Sequence, residues 1–116
     1  MFADPQSLTY NTVAKSLVRV STGENASVYR TADGEFQLRI SHQENKGRVR
    51  HLIRVDRTVI AADPLTAVNA YVFTGMYFVV DEPKYGFTDA DHELLRAAFV
   101  AICSAANVAK LVAGEH

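Results

Sequence analysis

Hydrophobic and polar positions alternate cleanly from Glu35 to Gln43. Phe36, Leu38, Ile40 and His42 fall on one parity; Gln37, Arg39, Ser41 and Gln43 fall on the other. A period of two is that of a strand with one buried face. The same alternation returns in a long segment from Arg48 to about Ile60. There Val49, His51, Ile53 and Val55 form the apolar side, and Arg48, Arg50, Leu52, Arg54 and Asp56 form the other. Asn45-Lys46-Gly47 separates the two segments and predicts a hairpin, with Gly47 suited to the left-handed position. Upstream, Ser7 to Tyr10 and Ser16 to Val20 are short β-prone runs. Thr22-Gly23-Glu24-Asn25 reads as a turn, Ala26 to Thr31 as a strand and Asp33-Gly34 as a two-residue hairpin. Ala61 to Val68, carrying Asp63-Pro64, reads as a loop. Asn69 to Val80 is a last strand, apolar on both parities, as for a strand buried on both sides or lying at an interface.

After Pro83 and Gly86 the period changes. Thr88 predicts an N-cap, and Asp89, Asp91 and Glu93 suit the positive end of a helix. Leu94, Leu95, Ala98, Phe99 and Ile102 then recur at helical spacing. Ser104 caps a second, short helix whose apolar residues are Val108, Leu111 and Val112, and Gly114 stops it. Strands followed by helices make an α+β chain. One domain is expected, with a sheet over about residues 1–80 and two helices over about 88–113. Two helices of this length cannot cover so wide a sheet, so one face is expected to stay open, the one bearing Arg39, Arg48, Arg50 and Arg54.

Composition adds three constraints. With 116 residues, 48% of them apolar, the chain has a core, but a marginal one, and oligomerisation is a plausible source of further stability. The longest apolar run, Ala97 to Cys103, is far short of the ~20 residues of a membrane helix. MFADPQSLTY has neither the basic nor the apolar part of a secretory signal, so the protein is expected to stay where it is made. Cys103, the single cysteine, falls in the apolar helical stretch and is expected to be a buried, inert thiol.

Charge changes the picture most. Between Gln37 and Arg57, six cations (Arg39, Lys46, Arg48, Arg50, Arg54, Arg57) face two anions (Glu44, Asp56), a balance of +4. The remaining six cations and eleven anions leave −5, for a net −1. Half the basic residues therefore lie on one predicted hairpin, the footprint of a polyanion-binding surface. Arg39 and Ser41 are expected to neighbour Arg50 and Arg48 there. Gln37, Ser41 and Gln43 add hydrogen-bonding groups, and arginine suits bidentate contacts to phosphate or guanine. Tyr71, Phe73 and Tyr77 share one parity of the last strand, with Gly75 between them, and aromatic residues beside arginines can stack unpaired bases. The competing reading is a solvated edge hairpin whose charges discourage aggregation.

Catalytic chemistry has little support. His42 and His51 lie on the apolar parity near one hairpin end, where a satisfied pair is the simplest reading. HExxH, CxxC and GxSxG are all absent, and no glycine-rich phosphate loop precedes a helix. Asp89, Asp91 and Glu93 are explained by helix capping. No enzyme activity, metal or cofactor is expected.

In order and spacing, DPQSLTYN, LRISHQENKGRVRHLIRVDR, the loop after it, FVVDEP, GFTDADHELL and the apolar tail resemble the coat proteins of single-stranded RNA bacteriophages, of the levivirus type. The resemblance spans essentially the whole chain. It implies an N-terminal β-hairpin, a five-stranded antiparallel sheet and two C-terminal α-helices. It also implies an intertwined homodimer whose sheets join edge to edge into a ten-stranded surface. Dimers would close into an icosahedral shell, usually T=3, assembled in the bacterial host cytoplasm around single-stranded viral RNA to form the virion, with no membrane involved. The open face would look inward onto the RNA. One dimer could grip a stem-loop operator and repress replicase translation. By position in that pattern, Arg39, Ser41, Gln43, Arg48, Arg50 and Arg54 match the RNA-facing set, and Tyr71, Phe73 and Tyr77 are candidates from the last strand. Ala62, Asp63, Pro64 and Leu65 match the loop that gathers at symmetry axes. Leu95, Phe99, Ile102, Val108 and Leu111 are expected at the dimer interface. Leu52 departs from the pattern, since a small polar residue there would better suit base contact. A dimeric RNA-binding translational regulator that forms no shell remains the alternative, and a small α+β enzyme or ligand-binding dimer using His42 and His51 is a third.

Overall fold

The computed structural model describes residues 2–116. Six strands follow one another in chain order across an antiparallel sheet: β1 (Gln6–Tyr10), β2 (Val13–Thr22), β3 (Ala26–Arg30), β4 (Phe36–Asn45), β5 (Arg48–Ala62) and β6 (Asn69–Pro83). Helices α1 (Asp89–Ile102) and α2 (Ala105–Val112) complete the chain. The strands and the helices form two separate units, the first ending at Glu82 and the second running Pro83–His116. The N-terminal hairpin β1–β2 and the five-stranded array β2–β6 share strand β2. Its residues 13–17 pair with β1 and its residues 18–22 with β3, and a register shift between Arg19 and Ser21 interrupts the second pairing.

The core of the strand unit lies on one face. Leu17, Tyr29, Phe36 and Ile40 are buried, and Leu8, Leu38 and Ile53 pack against them. Pairing puts Tyr29 opposite Leu38, Leu38 opposite Val55, and Ile40 opposite Ile53, so the apolar parity of each strand adds to the same layer. The β1–β2 hairpin closes over this layer: the Tyr10 ring lies 5.0 Å from that of Phe36. Arg57 stands on this face too, its guanidinium 4.9 Å from the Tyr10 ring centre and its Nε donating to Glu35 Oε1 at 2.9 Å. Arg19 donates to the Tyr29 hydroxyl at 3.0 Å through Nη2 and at 3.3 Å through Nε, which gives that buried phenol its partner.

Two turns differ from the sequence expectation. Asp33-Gly34 does not form a two-residue hairpin; β3 ends at Arg30 and β4 begins at Phe36. The Thr31 hydroxyl donates to Asp33 Oδ1 at 2.7 Å and accepts from Phe36 N–H at 3.1 Å, while Glu35 N–H donates to Asp33 Oδ1 at 3.0 Å. These local bonds compete with the ladder and widen the loop. The Thr31 hydroxyl, then the Glu35 amide, hold the Asp33 carboxyl below its ordinary range. The second loop is Asp63–Val68 rather than one beginning at Ala61, so Ala62 is the last residue of β5 and only Asp63, Pro64 and Leu65 of the four candidates are loop residues. Asp63 N–H donates to Val68 O at 3.0 Å, Ala67 N–H to Asp63 O at 2.7 Å and Leu65 N–H to Asp63 Oδ1 at 2.8 Å, which closes the turn on itself.

Strand β6 is not buried on both sides. Tyr71 is 78% exposed and Phe73 70%, and Val72, Met76, Tyr77 and Val79 are also exposed. It lies at the edge of the sheet order, with a neighbour only at β5.

In the helical unit, α1 opens with a reciprocal cap. Asp91 N–H donates to Thr88 Oγ1 at 3.3 Å and Thr88 N–H donates to Asp91 Oδ2 at 3.1 Å. Thr88→Ala should therefore cost about 1 kcal/mol of helix stability; a thermal melt followed at 222 nm that did not shift would show the cap to be idle. Glu93 pairs with Arg96 instead of serving the helix end, and that bond lowers the Glu93 pKa. Ser104 caps α2 by accepting from Asn107 N–H at 3.3 Å, and Gly114 follows its end at φ 86°. The axes of α1 and α2 meet at 67°, and no single helix among the described residues is long and apolar enough to cross a membrane. Leu95, Phe99, Ile102 and Leu111 are exposed and Val108 is half-buried. Cys103 is an exposed free thiol at the C-cap of α1, not a buried one. Helical periodicity describes an apolar stripe, but no element of its own unit buries it.

Candidate nucleic-acid interface

Strands β4 and β5 meet through a two-residue turn at Lys46-Gly47, with φ values of 42° and 81°. Both residues are left-handed, the geometry that matches strand twist in a tight hairpin. This turn fixes Asn45 opposite Arg48, and from there Gln43 opposite Arg50, Ser41 opposite Leu52, Arg39 opposite Arg54 and Gln37 opposite Asp56. All these side chains share the sheet face opposite the core. Arg39 thus neighbours Arg54 and Ser41 neighbours Leu52, rather than Arg50 and Arg48, because the two-residue turn sets the pairing. Strand β3 adds Arg30, opposite Gln37, and Val28, opposite Arg39. Arg30 was not legible as part of the face until β3 was paired; its Nη2 donates to Gln37 Oε1 at 3.2 Å.

The charges on this face are not equivalent. Arg39 and Arg54 are like charges directly opposed, a costly arrangement in itself. Asp56, two residues on, relieves it: Arg54 Nε donates to Asp56 Oδ1 at 2.9 Å, and its guanidinium lies 4.6 Å from the Tyr77 ring centre. The Asp56 bond also raises the Arg54 pKa, keeping the group charged. Arg48 Nε donates to Asp81 Oδ1 at 3.0 Å and Nη2 to Asp81 O at 3.3 Å. Asp81 is a second residue that sequence reasoning missed, though it shares its parity with Tyr77. The guanidinium groups of Arg39 and Arg50 make no hydrogen bond or ion pair among the described residues. A shallow cavity of about 210 Å³ beside Arg50 is lined by Gln43, Asn45, Lys46, Arg48, Arg50 and Asp81. Arg57, counted with the basic segment in the sequence, points to the core face.

The contact of Arg54 with Tyr77 settles which parity of β6 lies beside the arginines: the odd one, shared by Tyr71, Phe73, Gly75 and Tyr77. Gly75 is required by close approach. A Cβ built there would lie 2.2 Å from Asp56 Oδ1 and 3.4 Å from the Tyr77 ring. Gly75→Ala should displace the Asp56 carboxylate, release Arg54 and destabilise the sheet by about 1–3 kcal/mol, the range for overpacking. Unchanged urea unfolding would show that Asp56 moves aside freely.

On the other face of the same hairpin, His42 and His51 are directly opposed. No group of three or more His, Cys, Asp or Glu side chains able to hold a metal occurs among the described residues.

The coat protein of phage phiCb5 defines a family that matches residues 3–83, the whole of the strand unit but its first residues and the start of the link beyond it. No curated protein sequence matches the chain. Among solved structures, the virus-like particle of bacteriophage AVE019 superposes with a TM-score of 0.79 at 7% identity, over 98% of this chain and 97% of that one. The virus-like particle of Beihai levi-like virus 21 gives 0.73 at 10% identity, over 100% and 98%. The coat protein of bacteriophage EMS014 gives 0.70 at 17% identity, over 90% and 79%. At such identities the likeness is one of fold, and the family match carries the assignment: this chain belongs to the phage phiCb5 coat protein family.

Proposed function

We propose that this coat protein dimerises, closes into an icosahedral shell and packages single-stranded RNA against the face formed by β3–β6. The observation that carries the RNA assignment is the pair Arg39 and Arg50, exposed and without a hydrogen bond or ion pair among the described residues, on a surface where Arg48 and Arg54 are ion-paired and Arg30 is hydrogen-bonded to Gln37. Two unneutralised guanidinium groups, with Ser41 and Gln43 between them, suit phosphates of a flexible strand. Arg48 and Arg54 exchange their carboxylate partners for phosphates less readily and serve as secondary contacts. Tyr71, Phe73 and Tyr77 offer exposed rings to unpaired bases on the same side. Exposure of β6 and of Leu95, Phe99, Ile102 and Leu111 supports association with a second copy, since apolar surface of this extent is unusual on a lone chain. That structures of similar fold are virus-like particles supports the shell. Gripping a stem-loop to repress replicase translation would use the same face. Leu52, half-buried among Ser41 and the arginines, takes a position where base readout would want a polar group, so packaging is favoured over sequence-specific repression.

Size-exclusion chromatography at 260 and 280 nm, followed by negative-stain imaging, tests the reading. Large round particles rich in 260 nm absorbance are expected. A species of about twice 12.8 kDa would leave a dimer without a shell and favour the regulator.

A further inference from the structure

We infer that His42 and His51 form a divalent transition-metal site on the core-side face of the β4–β5 hairpin. The two residues are cross-strand partners, and their Nδ1 atoms lie 2.7 Å apart. Each nitrogen carries one in-plane lone pair when unprotonated, so at that distance one ring donates its N–H to the lone pair of the other. Hydrogen thus fills the space between them. A metal ion fills it with a small adjustment: two bonds of about 2.0–2.1 Å at a tetrahedral angle put the nitrogens about 3.4 Å apart, a little over half an ångström wider than they stand. The rings already meet edge to face, with centroids 4.9 Å apart and planes at 74°, so opening them needs only side-chain rotation.

The surroundings also suit a metal. His51 Nε2 lies 2.8 Å from Glu82 Oε1. That bond fixes the proton of His51 on Nε2 and leaves Nδ1 as the donor atom, the arrangement in which a carboxylate orients a metal-bound histidine. Glu44 shares the parity of His42, two residues nearer the turn. His42 is exposed and borders a cavity of about 220 Å³ with Asn25, Ser27 and Tyr29, so water can complete the coordination. Two imidazoles and two or more waters select Zn²⁺, Ni²⁺ or Cu²⁺ over Mg²⁺ or Ca²⁺. With the His51 proton held on Nε2, the hydrogen between the rings belongs to His42 Nδ1, and metal binding moves it to His42 Nε2, so that both rings bind as neutral imidazoles. The site lies entirely within the strand unit and is independent of the RNA reading.

The test is calorimetric titration of the chelator-stripped, assembled protein with Zn²⁺, paired with long-range ¹H–¹⁵N spectra of the histidines on the dimer. One saturable Zn²⁺ per chain is expected. His42→Ala and His51→Ala should each weaken it by tenfold or more, His92→Ala should leave it unchanged, and Glu82→Ala should weaken it by about 10–100-fold. In the spectra, Zn²⁺ should move Nδ1 of both residues while Nε2 of His51 keeps its proton. No saturable binding up to millimolar Zn²⁺, equal binding by the His51→Ala protein, or an unmoved Nδ1 pair would each overturn the site and leave the two rings joined by a hydrogen bond alone.

Discussion

Particles of the Arg39→Ala/Arg50→Ala protein should assemble but carry markedly less RNA. Both side chains are exposed and make no contact whose loss would unfold the sheet, so stability should stay within about 0.5 kcal/mol. Their work would be electrostatic. Each phosphate contact to a single strand contributes about 0.7 to the salt slope of binding, so the double variant should lower the slope of log K against log salt by about 1.4 per chain. Arg48→Ala and Arg54→Ala should lower it less, because Asp81 and Asp56 already neutralise those groups and fewer phosphates are held by them. The readout is the 260/280 nm ratio of purified particles, together with RNA release in a salt series. Equal RNA content and an unchanged slope would sink the assignment of this face. A larger effect from Arg48 or Arg54 than from Arg39 or Arg50 would show that the ion pairs open on binding.

Phe36→Ala should give the largest loss of stability. Phe36 is only 2% exposed, sits at the centre of the core, and holds the N-terminal hairpin through Tyr10. Truncating a buried phenylalanine costs about 3–5 kcal/mol, a large share of the roughly 5–15 kcal/mol of a natural domain. The cavity would also remove the surface on which Tyr10 and Arg57 rest, so β1 should detach before the rest of the sheet unfolds. Urea unfolding at fixed protein concentration measures the cost, and limited proteolysis near Asn11 reports the detachment. A loss below about 1 kcal/mol would mean that stability resides elsewhere, in contacts between copies.

Much of this architecture was legible in the chain. The alternation through Glu35–Gln43 and Arg48–Ile60 placed every basic-face residue of β4 and β5 on its correct parity, because a period of two leaves a strand no other choice once one face is apolar. Thr88 and Ser104 announced both helices, because a cap is a local bond between residues three apart. What depends on pairing was not legible. Register comes from turn geometry, and the two-residue turn at Lys46-Gly47 moved Arg39 from beside Arg50 to opposite Arg54. The partners Asp81 and Glu82, more than thirty residues from Arg48 and His51, came near only when β6 was laid against β5. Local charge counting made the hairpin one basic patch. The tertiary structure sent Arg57 to the core, tied Arg48 and Arg54 to carboxylates and left Arg39 and Arg50 free, because a side chain's charge is local but its neutralisation depends on whichever strand lies next to it.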